Sequence, residues 1–414
     1  MKNVLNISRH DTTGRRFNNL DASAKLAEHG WSSKNCSWST PEGPQEITSH
    51  AKGYLHHLTT KMCARLATLT GDLNGYYRNA NCIKSLPYYQ QADVLHFHIV
   101  HDQWLSLHDL CALARDKPIV WTWHAPYIMT GHCIYPIDCD SFERGCVSCP
   151  QLDAHFPIMV DRARVNLHEK LEAVKKIDPL VIVASDYMED MVARSVFKNQ
   201  IRLKKIPFGV EFDAPAGLRE AKARLGIPEE NVVFGFRAVW SAYKGTTLIL
   251  QALTNLVQKN GSMPITIIAF QEKGICKGFD DKVQVIEAGW VTDKSIQEYY
   301  SAMDYFLMPS KVEAFGMMAI EAMAAGAYPI VTHGTALPGL VQAPIHGIAV
   351  EHTVDALQDA ILSAILTVEQ RRATRPQRIE FARQTYSINA FCKELASTYD
   401  EETEYSLSHR YPAR

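Results

Sequence analysis

Short runs of apolar, β-branched and aromatic residues alternate with longer amphipathic segments along this chain, and that rhythm limits its fold more than any other feature. In the first half the runs are residues 4–8, 94–100, 118–124 and 180–185, with helical patterns such as 18–29 between them. The segment 201–217, IRLKKIPFGVEFDAPAG, is punctuated by Pro207, Gly209, Pro215 and Gly217. The rhythm then restarts, with strand candidates at 232–238, 265–270, 283–288, 305–309, 329–332 and 347–350. Strands alternating with helices build a parallel sheet wrapped on both faces. The prediction is therefore an α/β protein of two doubly wound, Rossmann-like domains. The boundaries are placed at 1–205 and 206–385, with a tail over 386–414.

With 414 residues, 46% of them apolar and 21% charged, the chain can bury cores for two domains. A net charge of -2 leaves no general basic field for nucleic acid, so binding must come from local sites. The opening MKNVLNISRHDTTGRRFNN has only a short apolar run, and no later stretch nears the roughly 20 apolar residues of a membrane helix. A cytoplasmic protein with at most peripheral membrane association is expected. Four of the ten cysteines crowd into residues 133–149 and the rest are scattered, unlike a disulfide scaffold.

Ligands of doubly wound sheets bind beyond the carboxyl ends of the strands. There the sequence PSKVEAFGMMAIEAMAAG over 309–326 reads as a strand end, a loop and a helix from about Met317 closed by Gly326. The N–H groups and dipole of such a helix start favour a phosphate, and Gly316 permits close backbone approach. Glu313 in the loop and Glu321 on the helix can each accept from paired hydroxyls of a sugar or ribose; an acidic loop residue and a solvated helical glutamate are the plain alternative. Upstream, FGFRAVWSAYKGTT puts Arg237 at a strand end and Lys244-Gly245 before a helix, two cations that could neutralise a diphosphate; a surface lysine and a salt-bridged arginine are the plain alternative.

Together these two elements resemble the retaining GT-B glycosyltransferases of family 4, the glycosyl transferases group 1, over most of the second domain. The resemblance implies a GT-B architecture with an interdomain cleft. It implies that Arg237 and Lys244 bind the donor phosphates, Glu313 the transferred sugar and Glu321 the ribose of the nucleotide. The backbone of Phe315, Gly316, Met317 and Met318 would lie against sugar and phosphates, with Met317 and Met318 as plain core the alternative. In AGWVTDKSIQEYYSAMDYFLMPS, Gly289, Trp290 and Val291 would pass beside the base.

In the first domain, PIVWTWHAPYIMTGHC places His124 at a strand end, where the same family has a histidine that contacts the donor sugar. LHFHIVHDQWLSLHDL carries His96, His98 and His101; core packing is expected for one of them and cleft lining for His98 and His101. The loop HDTTGRRFNN follows the first strand where the family commonly has a glycine pair, but only Gly14 is present, followed by Arg15 and Arg16. Gly14, Arg15, His98 and His101 are the acceptor-side candidates. The run CIYPIDCDSFERGCVSC spaces Cys133, Cys139, Cys146 and Cys149 as C-x5-C-x6-C-x2-C; four thiolates could hold a structural zinc, with four free cysteines as the alternative.

The stretch 95–164, with HFHIVHDQW, VWTWH, TGHC and the four cysteines, resembles the WcaC-type branch of the family, associated with colanic acid and related bacterial exopolysaccharide assembly. Its WTLHD-like pattern stands here as WTWHA, so Ala125 replaces an acidic residue. The resemblance implies a hexosyltransferase using a UDP- or GDP-sugar, with no catalytic metal required. Its acceptor would be a glycan, lipid-linked at the inner face of the membrane. It also implies that the terminal helix packs back on the first domain. Two alternatives are a glycosyltransferase for a small soluble acceptor and a catalytically silent nucleotide-sugar-binding subunit of an assembly complex.

Overall fold

Thirteen strands build two parallel sheets in the computed structural model, which describes residues 1–9, 21–38, 47–49, 53–100, 104–154, 156–212, 214–260, 264–279, 283–291 and 293–409. The chain divides into two units: Met1–Gly209 with Ile388–Arg414, and Val210–Ser387.

In the first unit, β1 (Lys2–Ser8), β2 (Trp31–Ser37), β3 (Ile47–Ser49), β4 (Val94–Phe97), β5 (Ile119–Thr122), β6 (Leu180–Val183) and β7 (Arg202–Lys205) lie in the order β3-β2-β1-β4-β5-β6-β7. β4, β5 and β6 are buried along their whole length, as a sheet covered on both faces requires. The chain reverses direction across the sheet between β1 and β4. β7, RLKK, forms a polar edge that the helix Ile388–His409 covers with acids: Arg202 pairs with the buried Glu402 at 2.6 Å and Lys204 with Glu401 at 2.9 Å. The same helix buries Tyr399 against Trp31, ring centroids 5.0 Å apart, and ties its hydroxyl to His96 Nδ1 at 2.7 Å.

The second unit holds β8 (Val232–Ala238), β9 (Ile265–Gln271), β10 (Gln284–Gly289), β11 (Tyr305–Met308), β12 (Tyr328–Thr332) and β13 (Ile348–Val350), ordered β10-β9-β8-β11-β12-β13. Successive residues of β8 point to opposite faces: Phe234 and Phe236 join one apolar core and Val233 the other. The turn before β11 brings a charge into this apolar layer. Asp304, 4% exposed, accepts from Arg372 Nε at 2.7 Å, Lys222 Nζ at 3.1 Å and the Val233 N–H at 3.0 Å. Burial pushes its carboxyl up, but these partners outweigh that and hold it below the usual range.

The strand pattern read from sequence matches ten of these strands, whereas β2, β3 and β7 went unforeseen because WSSKNCS, ITS and RLKK lack an apolar run.

Candidate active site

In the second unit the switch point falls between β8 and β11, so the loops after these neighbouring strands open away from each other and leave a crevice at the sheet's carboxyl edge. Lys244 lies in the loop after β8 and Glu313 in the loop after β11. The ammonium of Lys244 pairs with Glu313 Oε1 at 2.5 Å, and the hydroxyl of buried Ser310 donates to the same oxygen at 3.2 Å. The two loops are also joined through backbone: Lys311 N–H donates to Tyr243 O at 2.8 Å. Gly245 has φ +73°, and a Cβ there would sit 2.2 Å from Pro309 O, so only glycine fits this approach.

Gly316, at φ +149°, caps the helix Met317–Ala324; a Cβ there would strike Leu337 Cδ2 at 2.3 Å. This helix start thus follows Glu313 by a few residues. Phe315 packs edge-on to Tyr386, Met317 is buried and Met318 packs on the core, so all three side chains are spent on packing and leave only backbone for a ligand. Glu321, 2% exposed, accepts from the hydroxyl of Tyr300 at 3.2 Å.

Arg237 ends β8 at the same edge, but its Nε donates to Gln271 Oε1 at 2.7 Å and not to either glutamate. Gly289, at φ +68°, ends β10 and approaches the Lys273 side chain; Trp290 beside it is 75% exposed and Val291 packs on the core. Glu287 pins the facing loop. Burial pushes its carboxyl up, but the N–H groups of Cys276, Gly274 and Ile275 hold it low.

In the first unit the switch point is between β1 and β4, and it carries a chain of polar groups. His98, just past β4, meets Asn6 Oδ1 through Nε2 at 3.1 Å and His124 Nε2 through Nδ1 at 3.1 Å. The proton positions follow from the Asn6 end. Asn6 Nδ2 donates to Ser33 Oγ at 2.8 Å and to the carbonyl of Lys34 at 3.4 Å, so its Oδ1 faces His98 and must accept. His98 therefore carries its proton on Nε2 and accepts on Nδ1, and His124 donates from Nε2. The lone pair of neutral His124 is then on Nδ1. Its ring stacks on Phe208, centroids 5.2 Å apart. His96 bridges Tyr399 and Thr122.

Burial lowers the imidazole of His124 to about 3; burial, then the neighbouring imidazoles, hold His98 and His96 well below their ordinary value. The stability this neutrality confers is complete above the unfolded value near 6.5. As pH falls below it, the unfolded chain takes up protons that the fold refuses. Unfolding by urea should therefore show stability falling by about 1.4 kcal/mol per pH unit for each such histidine between pH 6.5 and 4.5. The variant His98→Gln with His124→Gln should flatten that slope; an unchanged slope would mean the imidazoles are not held neutral.

Gly14, Arg15 and His101 lie outside the described residues. The zinc expectation is corrected: among the described residues, no group of three or more His, Cys, Asp or Glu is placed to hold a metal ion. Cys133, Cys139, Cys146 and Cys149 line one small cavity with His132 and form no disulfide. Burial pushes Cys133 up to about 12 and raises Cys146 and Cys149; Gly131 N–H meets Cys146 Sγ at 3.3 Å, and Cys149 Sγ lies 3.6 Å from His132 Nδ1. The loop is tied instead by buried Lys170, whose ammonium donates to the carbonyls of Tyr127 at 2.8 Å and Thr130 at 2.9 Å, over the Tyr127 ring.

Asn6, Ser310, Gln271 and Tyr300 escaped the sequence reading, although a polar Asn6 inside the apolar strand VLNIS was a usable signal.

Comparison with known proteins agrees with this layout. Residues 219–381 match the family model of glycosyl transferases group 1. The chain is 26% identical to WcaC, a colanic acid biosynthesis glycosyl transferase of Escherichia coli K12, over 60% of this chain and 62% of that protein's length. It is 24% identical to D-inositol 3-phosphate glycosyltransferase of Saccharomonospora viridis, over 74% of this chain and 71% of the other. Among solved structures, Anabaena HepE in complex with UDP and glucose shares the fold, with a TM-score of 0.65 at 15% identity, covering 97% of this chain and 100% of HepE.

Proposed function

We infer that the chain, whose residues 219–381 match the family model of glycosyl transferases group 1, transfers a hexosyl unit, with retention at the anomeric carbon, from a UDP- or GDP-sugar to a glycan hydroxyl. The observation that carries this reading is the Lys244–Glu313 pair at the β8/β11 switch point, next to the Gly316 helix start. Lys244, Arg237 and that helix start stabilise the leaving diphosphate. Glu313 orients the sugar hydroxyls, Glu321 the ribose, and the base lies by Gly289, Trp290 and Val291. His124, its ring held by His98 and Asn6, contacts the transferred sugar in this reading.

Bond cleavage between the anomeric carbon and the phosphate oxygen places charge on that oxygen, which then takes the proton of the attacking hydroxyl. Two fixed cations and a helix start supply the compensation, so the reaction needs no catalytic metal. The acceptor is proposed to be lipid-linked, as the similarity to WcaC favours. The similarity to an inositol phosphate glycosyltransferase favours a small soluble acceptor as the second reading.

A thermal-shift panel of nucleotides and nucleotide sugars tests the donor site. At a ligand concentration of 100 Kd, one nucleoside diphosphate and its sugar should stabilise the protein by about 2.7 kcal/mol. Glu321→Ala should lose most of that shift. If no nucleotide moves the wild type at saturating concentration, the assignment is wrong. Slow donor hydrolysis without acceptor would exclude a silent subunit.

A further inference from the structure

Over residues 58–70 the helix Gly53–Thr70 of the first unit turns its large apolar side chains outward and its small ones inward, the reverse of a helix packed on a core. Ala67 is buried and Cys63 donates to Tyr76 O at 3.5 Å on the inner face. On the outer face Leu58, Met62, Leu66 and Leu69 are exposed, Met62 at 61% and Leu69 at 55%. Their spacing of four, four and three residues confines them to an arc of about 80°, at about 100° per residue. A further exposed apolar segment of the same chain joins the end of this helix: Met159 N–H bonds to Thr68 O at 2.9 Å, and Met159 and Val160 are 71% and 51% exposed.

Charge selects the occupant. Residues 53–70 contain no Asp or Glu, and exposed Lys61 and Arg65 flank the row on one side. A helix row edged by cations, with exposed Asp161 beside Val160 as the one neighbouring acid in sequence, matches an anionic lipid surface, with side chains in the acyl boundary and ammonium and guanidinium groups among the headgroup phosphates. Among the described residues no helix is long and apolar enough to cross a membrane, so contact here would be in the plane of the interface. We propose that this face, Leu58, Met62, Leu66 and Leu69 with Met159 and Val160, docks the protein on an anionic bilayer. The proposal rests on the lipid-linked acceptor reading for its purpose, since docking would hold the enzyme where such an acceptor lies.

The test is flotation of the full chain with vesicles of phosphatidylethanolamine and phosphatidylglycerol, with phosphatidylcholine vesicles as the neutral control. Wild type should float with the anionic vesicles and weakly or not at all with the neutral ones. M62Q/L66Q should lower partitioning roughly tenfold or more through lost apolar insertion. K61Q/R65Q should lower it roughly tenfold on anionic vesicles. Both variants should keep the wild-type circular dichroism melt, which separates lost docking from lost folding. Wild type that stays unbound, or variants that float as well as it does, would overturn the proposal. So would a wild-type dimer that M62Q/L66Q converts to monomer, which would assign the face to a second copy. A nucleotide shift without flotation would remove the docking surface and leave the donor site standing; flotation without a nucleotide shift would do the reverse.

Discussion

Lys244→Ala is expected to lower kcat by about 10²–10³-fold, the scale on which one preorganised group facing developing charge contributes. The ammonium is held before any ligand arrives, by Glu313 Oε1, and Glu313 is itself fixed by Ser310. A diphosphate entering the switch point therefore meets a cation already in place, and a sugar meets a carboxylate already aimed. Because Lys244 is one-third exposed, the pair should add only about 1 kcal/mol or less to folding. The rate loss should accordingly come with a nearly unchanged melting temperature. Rates for Lys244→Ala, Glu313→Ala and the double variant complete the test: two residues acting as one unit should give a double variant little worse than the worse single one. Full additivity would mean that they act apart, and a Lys244→Ala enzyme with most of its rate would remove the lysine from the mechanism.

Asp304→Ala should cost about 3–5 kcal/mol of stability in the second unit, the range for stripping one partner from a buried ion group. Its carboxylate holds two cations together. Lys222, 2% exposed, otherwise has only the carbonyls of Asn231 and Glu229, and Arg372 spends two of its nitrogens on Asp304. Removal leaves a buried ammonium without its counter-charge and the Val233 N–H without its acceptor. Urea unfolding followed by the nucleotide-sensitive transition should show the loss there, with the histidine-dependent pH slope of the first unit unchanged. Replacing Lys222 by methionine in the same chain should recover part of the cost, since the charge to be buried disappears with it. A loss under about 1 kcal/mol would show that the network is better hydrated than its burial implies.

How much of this was readable beforehand depended on which signal each residue carried. Central strands such as IVWT and LVIV announce themselves because burial on both faces demands an unbroken apolar run. Edge and polar strands, WSSKNCS and RLKK, do not, since their side chains are satisfied by partners far away in sequence: Asn6 for Ser33, Glu402 for Arg202. Lys244 and Glu313 stood out by their positions after strands, but that they form a pair is a property of the sheet order, 69 residues of sequence apart. Spacing misled at the cysteines. Four cysteines can be regularly spaced without being placed to hold a metal; burial raises Cys133, Cys146 and Cys149, and a lysine 21 residues beyond the last of them fixes the loop.

The helix Ile388–His409 has a consequence in the order of synthesis. Residues that complete the first unit leave the ribosome only after the whole second unit: His96 waits for Tyr399 and Arg202 for Glu402. The whole of Val210–Ser387 is made in between, roughly 10–35 s of elongation at about 5–20 residues per second. The second unit, continuous in sequence, can thus be folded before the first unit has received its last helix. During that interval β7 and the Trp31 surface are open, and the nascent first unit must be kept from pairing with other chains until that helix arrives.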